Sequence, residues 1–471
     1  MTLLSRATRA GLLSASLIFT SMSFSAEAGS LSEADQARIL ELKKTALASN
    51  LAYEIDESLT TEVGPRMVGS PGDKLAVEWA VAKMTQLGFD KVWTEDVTHK
   101  SWVRGTAEAH IISPYPQKMV AIALGGSVGT PEGGITAEVV EFKNFKALAA
   151  AAPGSLEGKI AYVSFRMERK IDGSGYGPAV TTRAAGPSYA AAKGAVALIM
   201  RSVGTDNNRI GHTGGLQYNE DTPKIPGAAL SNPDADLLSR QIARGKPVTV
   251  SLKLTSQRQD DVVVTTANVI GEITGSEFPD EYVVMAAHLD SWDVGTGAVD
   301  DGIGVGITLA AGHYMANLPT RPKRTIRVIL FAAEEVGLVG AKQYVTTHAD
   351  DMKNHVIGAE WDFGTGRIYK MTPGVGPSAL NDIRELAELL APLGVALSPE
   401  NNAKGQSDLS ALGKVGMPAV NFSPDGMKYF DYHHTENDTL DKVDAEAMKQ
   451  NTAVFTIFSY FAAQSGIDFR K

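Results

Sequence analysis

Apolar and polar residues follow two different spacings in the first part of this chain. In segments 31–66 and 69–89, apolar side chains recur every three or four residues, and Gly88 stands where the second segment ends. This spacing predicts amphipathic helices over a core, with the glycine as a stop signal. From about Met119 the pattern changes to glycine-rich turns and short β-branched runs, which predict short strands.

Longer apolar runs dominate the second half of the chain. The runs EYVVMAAHLD, TIRVILFAAEE and HVIGAEWDF predict strands, and they alternate with helical stretches such as IGVGITLAAGHYMANL. Because the strand segments are apolar at consecutive positions, helices are expected to cover both faces of their sheet. The expected fold class is α/β, a mixed and mainly parallel sheet sandwiched by helices, with an inserted β-rich domain.

The change of pattern sets the expected domain boundaries. Residues 29–118 and 260–471 are expected to form the sheet-and-helix domain. Residues 119–259 are expected to form the inserted domain, a separate unit whose edge walls the ligand crevice of the larger domain.

The first 28 residues have the composition of a targeting segment. Arg6 and Arg9 precede an apolar, serine-rich run, which ends in the small-residue sequence Ala26-Glu27-Ala28. This order is typical of a signal peptide. A membrane anchor is the alternative, but the run is shorter and more polar than the roughly 20 apolar residues of a membrane span. We therefore expect a secreted or periplasmic protein.

Overall composition excludes several classes of function. The chain has 471 residues, a formal net charge of −10 and no cysteine. An acidic protein repels nucleic acid and anionic membranes, so neither is an expected partner. Without cysteine, any metal ion would have to be held by histidine and carboxylate side chains rather than by thiolates.

Polar side chains follow three of the apolar runs at the point where each predicted strand ends. His288 and Asp290 end the first run, Glu334 and Glu335 the second, and Asp362 the third. In α/β folds, ligands bind at the carboxyl ends of the strands, so these side chains are expected to share one crevice. Two adjacent carboxylates in a buried setting repel each other, which indicates a positively charged partner nearby.

A polar loop before the last predicted helix adds His433 and His434. Imidazoles and carboxylates without sulphur suit two zinc ions that share a bridging carboxylate. Each group also has a structural alternative, because a lone histidine is usually structural and glutamates at a strand end can cap a helix. His212 stays open between the two roles. Five other histidines lack such a setting and are not candidate ligands: His99, His110, His313, His348 and His355.

Four segments resemble the dizinc exopeptidase family of bacterial leucyl aminopeptidase and glutamate carboxypeptidase. They are HLDSWDVGTGAVDDG, RPKRTIRVILFAAEEVGLVGAKQY, GQSDLS and YHHTENDT. The likeness continues over nearly the whole chain after the predicted signal peptide, so it does not depend on one short motif. The inserted region then resembles a protease-associated domain.

The resemblance implies five metal ligands for two zinc ions. Asp300 would bridge the two ions. His288 and Asp362 would bind one ion, and Glu335 and His434 would bind the other.

The resemblance also implies roles for residues beside the metal ions. Glu334 would be the general base, Asp290 would stand behind His288, and His433 would pack or contact the substrate. The family pattern further implies a cis peptide bond between Asp300 and Asp301, and a homodimer.

The expected function is hydrolysis of dipeptides or other short peptides by a zinc-dependent exopeptidase. The family likeness favours dipeptidase or carboxypeptidase action, and aminopeptidase action of the same family is the alternative. A third hypothesis is a receptor-like binding protein without catalytic activity. The complete set of implied metal ligands disfavours it.

Overall fold

A computed structural model describes residues 30–471, so the predicted signal peptide at residues 1–28 lies outside the described residues. In chain order the α-helices are α1 (Glu33–Ala48), α2 (Leu51–Glu62), α3 (Pro71–Gln86), α4 (Phe145–Ala149), α5 (Tyr176–Ala191), α6 (Asn232–Ile242), α7 (Ile303–Ala316), α8 (Val339–Thr347), α9 (Leu380–Leu390), α10 (Leu409–Lys414) and α11 (Ala445–Gln464). The strands are β1 (Lys91–Val103), β2 (Ala107–Ser113), β3 (Gln117–Met119), β4 (Ala121–Ala123), β5 (Ile135–Phe142), β6 (Ile160–Val163), β7 (Ala197–Arg201), β8 (Gly227–Leu230), β9 (Thr249–Leu254), β10 (Gln257–Ile273), β11 (Phe278–His288), β12 (Arg324–Phe331), β13 (His355–Glu360), β14 (Ile368–Gly374), β15 (Ala396–Leu397) and β16 (Ala419–Pro424).

Local signals in the sequence fix the early helices. The side chain of Ser32 accepts a hydrogen bond from the backbone of Asp35 and completes a capping box at the start of α1. Ser70 caps α3 in the same way, with Pro71 in the first helical turn. Gly88 follows α3 at a φ of 90°, which a residue with a side chain rarely adopts, so its predicted role as a stop signal is confirmed.

The first sheet has eight strands in the order β1-β10-β12-β11-β13-β16-β14-β15. Strands β12, β11 and β13 are parallel neighbours, whereas β1 and β10 form an antiparallel edge. Along β11, Val283 and Met285 face the core under α7 and α11, and Val284 and Ala286 face the core under α8 and α10. The predicted mixed sheet with apolar strands covered on both faces is confirmed.

A second eight-stranded sheet has the order β3-β2-β9-β5-β6-β7-β8-β4. Its strands come from residues 107–254, so its first strand precedes the boundary predicted at Met119. Strands β5 to β8 run parallel, and α5 and α6 pack beside them. The long antiparallel pair of β1 and β10 leads from the first sheet to the second.

Among residues 30–471, no helix combines the length and the apolar character that crossing a bilayer would require.

A half-buried ion network ties the end of α8 to the edge strand β1. The imidazole of His348 lies 2.9 Å from the Glu95 carboxylate and 3.2 Å from that of Asp351, and its ring stacks on Tyr344. Burial opposes the charged form of His348, but the hydrogen bonds and charges of Glu95 and Asp351 outweigh it, so its pKa is raised.

This raised pKa predicts a pH-dependent contribution to stability. A group whose pKa is higher in the folded state stabilises the fold fully below its unfolded pKa of about 6.5, and loses that effect as pH rises through the folded value. We expect His348→Gln to lower the free energy of unfolding by about 1 to 2 kcal/mol near pH 5.5 and by less near pH 9. Thermal melts at both pH values test this, with His110→Gln in the second sheet as control. An equal loss at both pH values would refute it.

Candidate active site and metal centre

The fold brings the predicted site residues to one edge of the first sheet. His288 is the last residue of β11, and Glu334 and Glu335 follow β12. Asp362 follows β13, and Asp300 lies in the turn before α7. Because β12, β11 and β13 are parallel neighbours, their carboxyl ends open on one crevice, where α/β folds bind ligands.

Two histidines stand on opposite sides of Asp300. His288 Nε2 is 3.2 Å from Asp300 Oδ1 and 3.7 Å from Asp362 Oδ1. His434 Nε2 is 3.3 Å from Asp300 Oδ2 and 3.0 Å from Glu335 Oε2. Each oxygen of the Asp300 carboxylate therefore faces a different cluster of candidate ligands.

These clusters fit metal ions by spacing and by chemistry. Two atoms that each lie about 2.0 to 2.1 Å from a tetrahedral zinc ion are about 3.3 Å apart, which matches the distances around Asp300. Glu335 Oε1 and Asp300 Oδ2 are buried and have no hydrogen-bond partner among the described residues. Asp300 belongs to both groups of side chains that could hold an ion, one with His288 and Asp362 and one with His433 and His434.

Burial and mutual repulsion raise the pKa values of the two glutamates in this crevice. Burial, with added repulsion from Asp300, raises the pKa of Glu335 well above its usual value. Burial also raises the pKa of Glu334 to about 8, with Asp362 and Glu335 adding to the shift against the opposing effect of His288. Bound cations would return both carboxylates to the ionised form.

Glu334 differs from its neighbour in its contacts. Its Oε1 accepts a hydrogen bond of 2.7 Å from the hydroxyl of Ser407, and its side chain lines an open cleft of about 480 Å³. Glu335 instead faces Asp300 and His434. The two adjacent glutamates therefore occupy separate positions, one toward the cleft and one toward the candidate ligands.

Asp290 lies where the sequence suggested, but its carboxylate has other partners. The Nδ1 atom of His288 lies 3.0 Å from the backbone carbonyl of Asp290 and 3.8 Å from its carboxylate. The carboxylate accepts hydrogen bonds from the backbone N–H groups of Glu334 and Glu335, at 3.0 and 3.3 Å. Asp290 thus orients His288 through its main chain and fixes the two glutamates through its side chain.

His433 packs directly on His434. The two imidazole rings stack with centroids 3.5 Å apart, and His433 Nε2 is 3.7 Å from Asp300 Oδ2. Tyr176 and Phe430 contact the other sides of the His433 ring. His433 is therefore placed either to support His434 or to contact a ligand in the cleft.

Unusual backbone geometry concentrates at this site. The peptide bond between Asp300 and Asp301 is cis, as the family resemblance implied. Within the described residues, the non-glycine residues with positive φ are Ala333, Leu338, Ser407 and His434. Ala333 precedes Glu334, and the other three line the cleft. Positive φ at a residue with a side chain persists only where the surrounding structure enforces it, and it occurs preferentially at functional sites.

The structure also resolves the role of His212. Its ring lies 2.6 Å from the Asp206 carboxylate and 2.8 Å from the backbone carbonyl of His433, and both side chains are buried. Nearby, the N–H of Thr213 donates to the carbonyl of His434, and the N–H of Thr205 to that of Phe430. A loop of the second sheet therefore supports the segment that carries His433 and His434.

Sequence reasoning assigned no role to Ser407 or Trp292. Ser407 lies in the GQSDLS segment, which contributed to the family resemblance without a stated function. Trp292 follows Asp290 closely in the sequence, and its indole lies 5.6 Å from the His434 ring, between centroids. Trp292 lies in the HLDSWDVGTGAVDDG segment, which likewise contributed to the resemblance without a stated function for this residue.

Comparison with known proteins agrees with this geometry. Residues 268–458 match the model of peptidase family M28. Carboxypeptidase Q of Xenopus laevis is 35% identical over 90% of this chain and 88% of its own length. The crystal structure of a peptidase M28 precursor from Shewanella amazonensis has a TM-score of 0.91 and 47% identity, covering 93% of this chain and 98% of its own.

A more distant structure shares the fold. The zinc aminopeptidase of Bacillus subtilis has a TM-score of 0.62 at 21% identity, over 89% of this chain and 98% of its own. The fold, the site and these matches define a metallo-exopeptidase. Within that class, the chain belongs to peptidase family M28 and is similar to carboxypeptidase Q. The resemblance predicted from sequence motifs is confirmed.

Proposed function

We propose that this protein is a dizinc exopeptidase that hydrolyses dipeptides and other short peptides, with dipeptidase or carboxypeptidase action. The observation that carries the proposal is the position of Asp300, whose two carboxylate oxygens face His288 and His434 separately. In this assignment His288, Asp362 and one oxygen of Asp300 would hold one zinc ion, and Glu335, His434 and the other oxygen of Asp300 would hold the second.

Zinc ions bound there would polarise the peptide carbonyl and make a water molecule more acidic at neutral pH. Glu334 lines the cleft beside these ligands and takes the proton of the attacking water as general base. The hydroxyl of Ser407 holds the Glu334 carboxylate in place. Glu334 then gives the proton to the leaving amine, which completes the hydrolysis.

The proposal also specifies from which end of the peptide a residue is released. The 35% identity to carboxypeptidase Q over 90% of this chain supports release of a C-terminal residue. Aminopeptidase action is the second candidate, because a zinc aminopeptidase shares the fold.

Three forms of one dipeptide separate these candidates. We expect hydrolysis of free Ala-Phe and strong loss of hydrolysis when its C-terminus is amidated, because the amide removes the terminal charge. Hydrolysis of the N-acetylated form as well indicates carboxypeptidase action, and resistance of both blocked forms indicates dipeptidase action. Release of the amino acids is measured by chromatography, with a zinc-chelated sample as control. Hydrolysis of the amide together with resistance of the acetylated form would establish aminopeptidase action instead.

The loop that contains His212 supports the backbone of His433 and His434, so a change in this loop should affect metal binding. We expect His212→Asn to weaken zinc binding by roughly 10- to 100-fold, because residues that orient a metal ligand have effects of this size. Chelator competition on the zinc-loaded protein measures the change. His313→Asn is the matched control, since His313 also bonds a backbone carbonyl, that of Leu87, but away from the cleft. Equal zinc affinity in both variants would exclude this supporting role.

Three further features belong to the same proposal. The inserted unit, predicted at residues 119–259 but begun by β2 at Ala107 in the structure, is a protease-associated domain. It is inserted into the catalytic domain, which was predicted at residues 29–118 and 260–471. The protein is secreted or periplasmic after removal of residues 1–28. It forms a homodimer, which a sedimentation mass of two chains would support and a mass of one chain would refute.

A further inference from the structure

A second cavity of about 270 Å³, the side pocket, adjoins the cleft that Glu334 lines. The two cavities share the wall residues Gly215, Leu216, Gln217 and Val336. Val336 directly follows the candidate ligand Glu335, so this side pocket begins next to the metal centre. Because one extended residue spans about 3.3 to 3.6 Å, a peptide cleaved in the cleft has a neighbouring residue within reach of the side pocket.

The wall of the side pocket is apolar and held in a fixed arrangement. Its apolar residues are Met67, Val68, Trp102, Leu216, Tyr218 and Trp292. Trp102 and Trp292 meet edge to face with centroids 6.4 Å apart. The Arg104 guanidinium lies 4.9 and 5.4 Å from these two rings, and Asp293 holds it through a contact of 2.5 Å. A preformed aromatic pocket of this kind suits an apolar side chain.

One polar group in this wall has no partner. The indole N–H of Trp102 donates to the backbone carbonyl of Ser127 at 2.9 Å. The indole nitrogen of Trp292 is buried and has no hydrogen-bond partner among the described residues. Because a buried donor without an acceptor is costly, a ligand that brings an acceptor to Trp292 would gain a hydrogen bond there.

Basic side chains stand at one part of the side-pocket lining. They are Lys100, Arg258 and His99, and none of the described lining residues of this pocket is acidic. Arg258 also pairs with Asp260, which reduces the excess of positive charge without reversing it. This basic lining favours the carboxylate end of a peptide in the side pocket.

We propose that the side pocket binds the C-terminal residue of the substrate. Its apolar or aromatic side chain packs on the wall formed by Trp102 and Trp292. Its carboxylate faces the basic lining and accepts a hydrogen bond from the Trp292 indole. This inference rests on the proposed exopeptidase function and specifies its substrates as short peptides with a large apolar C-terminal residue.

Filling the pocket tests the inference through substrate selectivity. The values of kcat/KM are compared for Ala-Ala, Ala-Phe and Phe-Ala, with the wild-type enzyme expected to prefer Ala-Phe. In Val68→Phe, the ratio of Ala-Phe to Ala-Ala should fall by roughly 10- to 200-fold, the range that pocket contacts with apolar side chains provide. Ser101→Phe fills the pocket from the half-buried strand β1 and should give the same change if Val68→Phe does not fold.

Trp292→Phe keeps one aromatic ring but removes the N–H donor together with the second ring of the indole. It should raise KM for Ala-Phe with little change in kcat or in zinc content. Val415→Phe adds the same bulk at an exposed position and serves as control. Unchanged selectivity in both filled variants, or a size preference that acts only on the N-terminal residue, would overturn the assignment.

Binding measurements test the side pocket independently of the proposed exopeptidase function. Calorimetry of Ala-Phe with Glu334→Gln enzyme is compared with the same enzyme carrying Val68→Phe. Weaker binding in the filled enzyme supports the pocket even if the wild-type protein hydrolyses no dipeptide, an outcome that would reject only the proposed function. Equal binding in both overturns the pocket even if the peptidase activity is present.

Discussion

Glu334→Gln is expected to lower kcat by roughly 100- to 10,000-fold while the zinc content of the protein stays nearly unchanged. Glutamine has the size of glutamate and can still accept the hydrogen bond from Ser407, but it cannot take a proton from water. Because Glu334 faces the cleft rather than Asp300, its replacement leaves the candidate ligands in place. Steady-state kinetics and metal analysis of the same preparation measure both quantities, and added zinc should not restore activity.

Ser407→Ala is the matched control for this result. It removes the hydroxyl that holds Glu334 but leaves the carboxylate, so its effect on kcat should be much smaller than that of Glu334→Gln. If Glu334→Gln loses zinc, or keeps wild-type turnover, Glu334 is not the general base.

Glu335→Gln is expected to give the opposite pattern, with loss of zinc as the primary defect. The Glu335 carboxylate lies 3.0 Å from His434 Nε2, and its second oxygen is buried with no hydrogen-bond partner in residues 30–471. Loss of this charge should weaken one of the two zinc ions by more than the roughly 10- to 100-fold seen when a supporting residue is removed. Activity should fall accordingly and recover in part when zinc is added.

Zinc titration with a chelator follows the affinity, and activity is measured at each zinc concentration. The contrast between Glu334→Gln and Glu335→Gln is itself the control, because both replace one carboxylate by an amide in adjacent positions. Retention of both zinc ions in Glu335→Gln, together with their loss in Glu334→Gln, would show that the two roles are reversed.

The candidate ligands at strand ends could be predicted from sequence because each depends on local pattern. Apolar runs mark β11, β12 and β13, and the first polar residues after them must lie near the sheet edge. His288, Asp362 and the pair Glu334 and Glu335 follow from this rule without knowledge of the fold, although the rule does not say which glutamate is the ligand. Asp300 could be assigned only from family resemblance, since its turn before α7 has no such periodic signal.

Contacts between distant segments could not be predicted in this way. The hydrogen bond from His212 to the carbonyl of His433 joins residues 221 positions apart, and no local pattern specifies it. The carboxylate of Asp290 was expected to act on His288, but the turn after β12 places two backbone N–H groups closer to it. The side pocket likewise depends on how β1, the second sheet and Trp292 meet.

The central claim is that two zinc ions share Asp300. Crystals of the zinc-loaded protein, measured on both sides of the zinc absorption edge, test it most directly. The account predicts two anomalous peaks roughly 3.5 to 4 Å apart, one beside His288 and Asp362 and the other beside Glu335 and His434, with Asp300 between them. A single peak, or two peaks that Asp300 does not join, would contradict it.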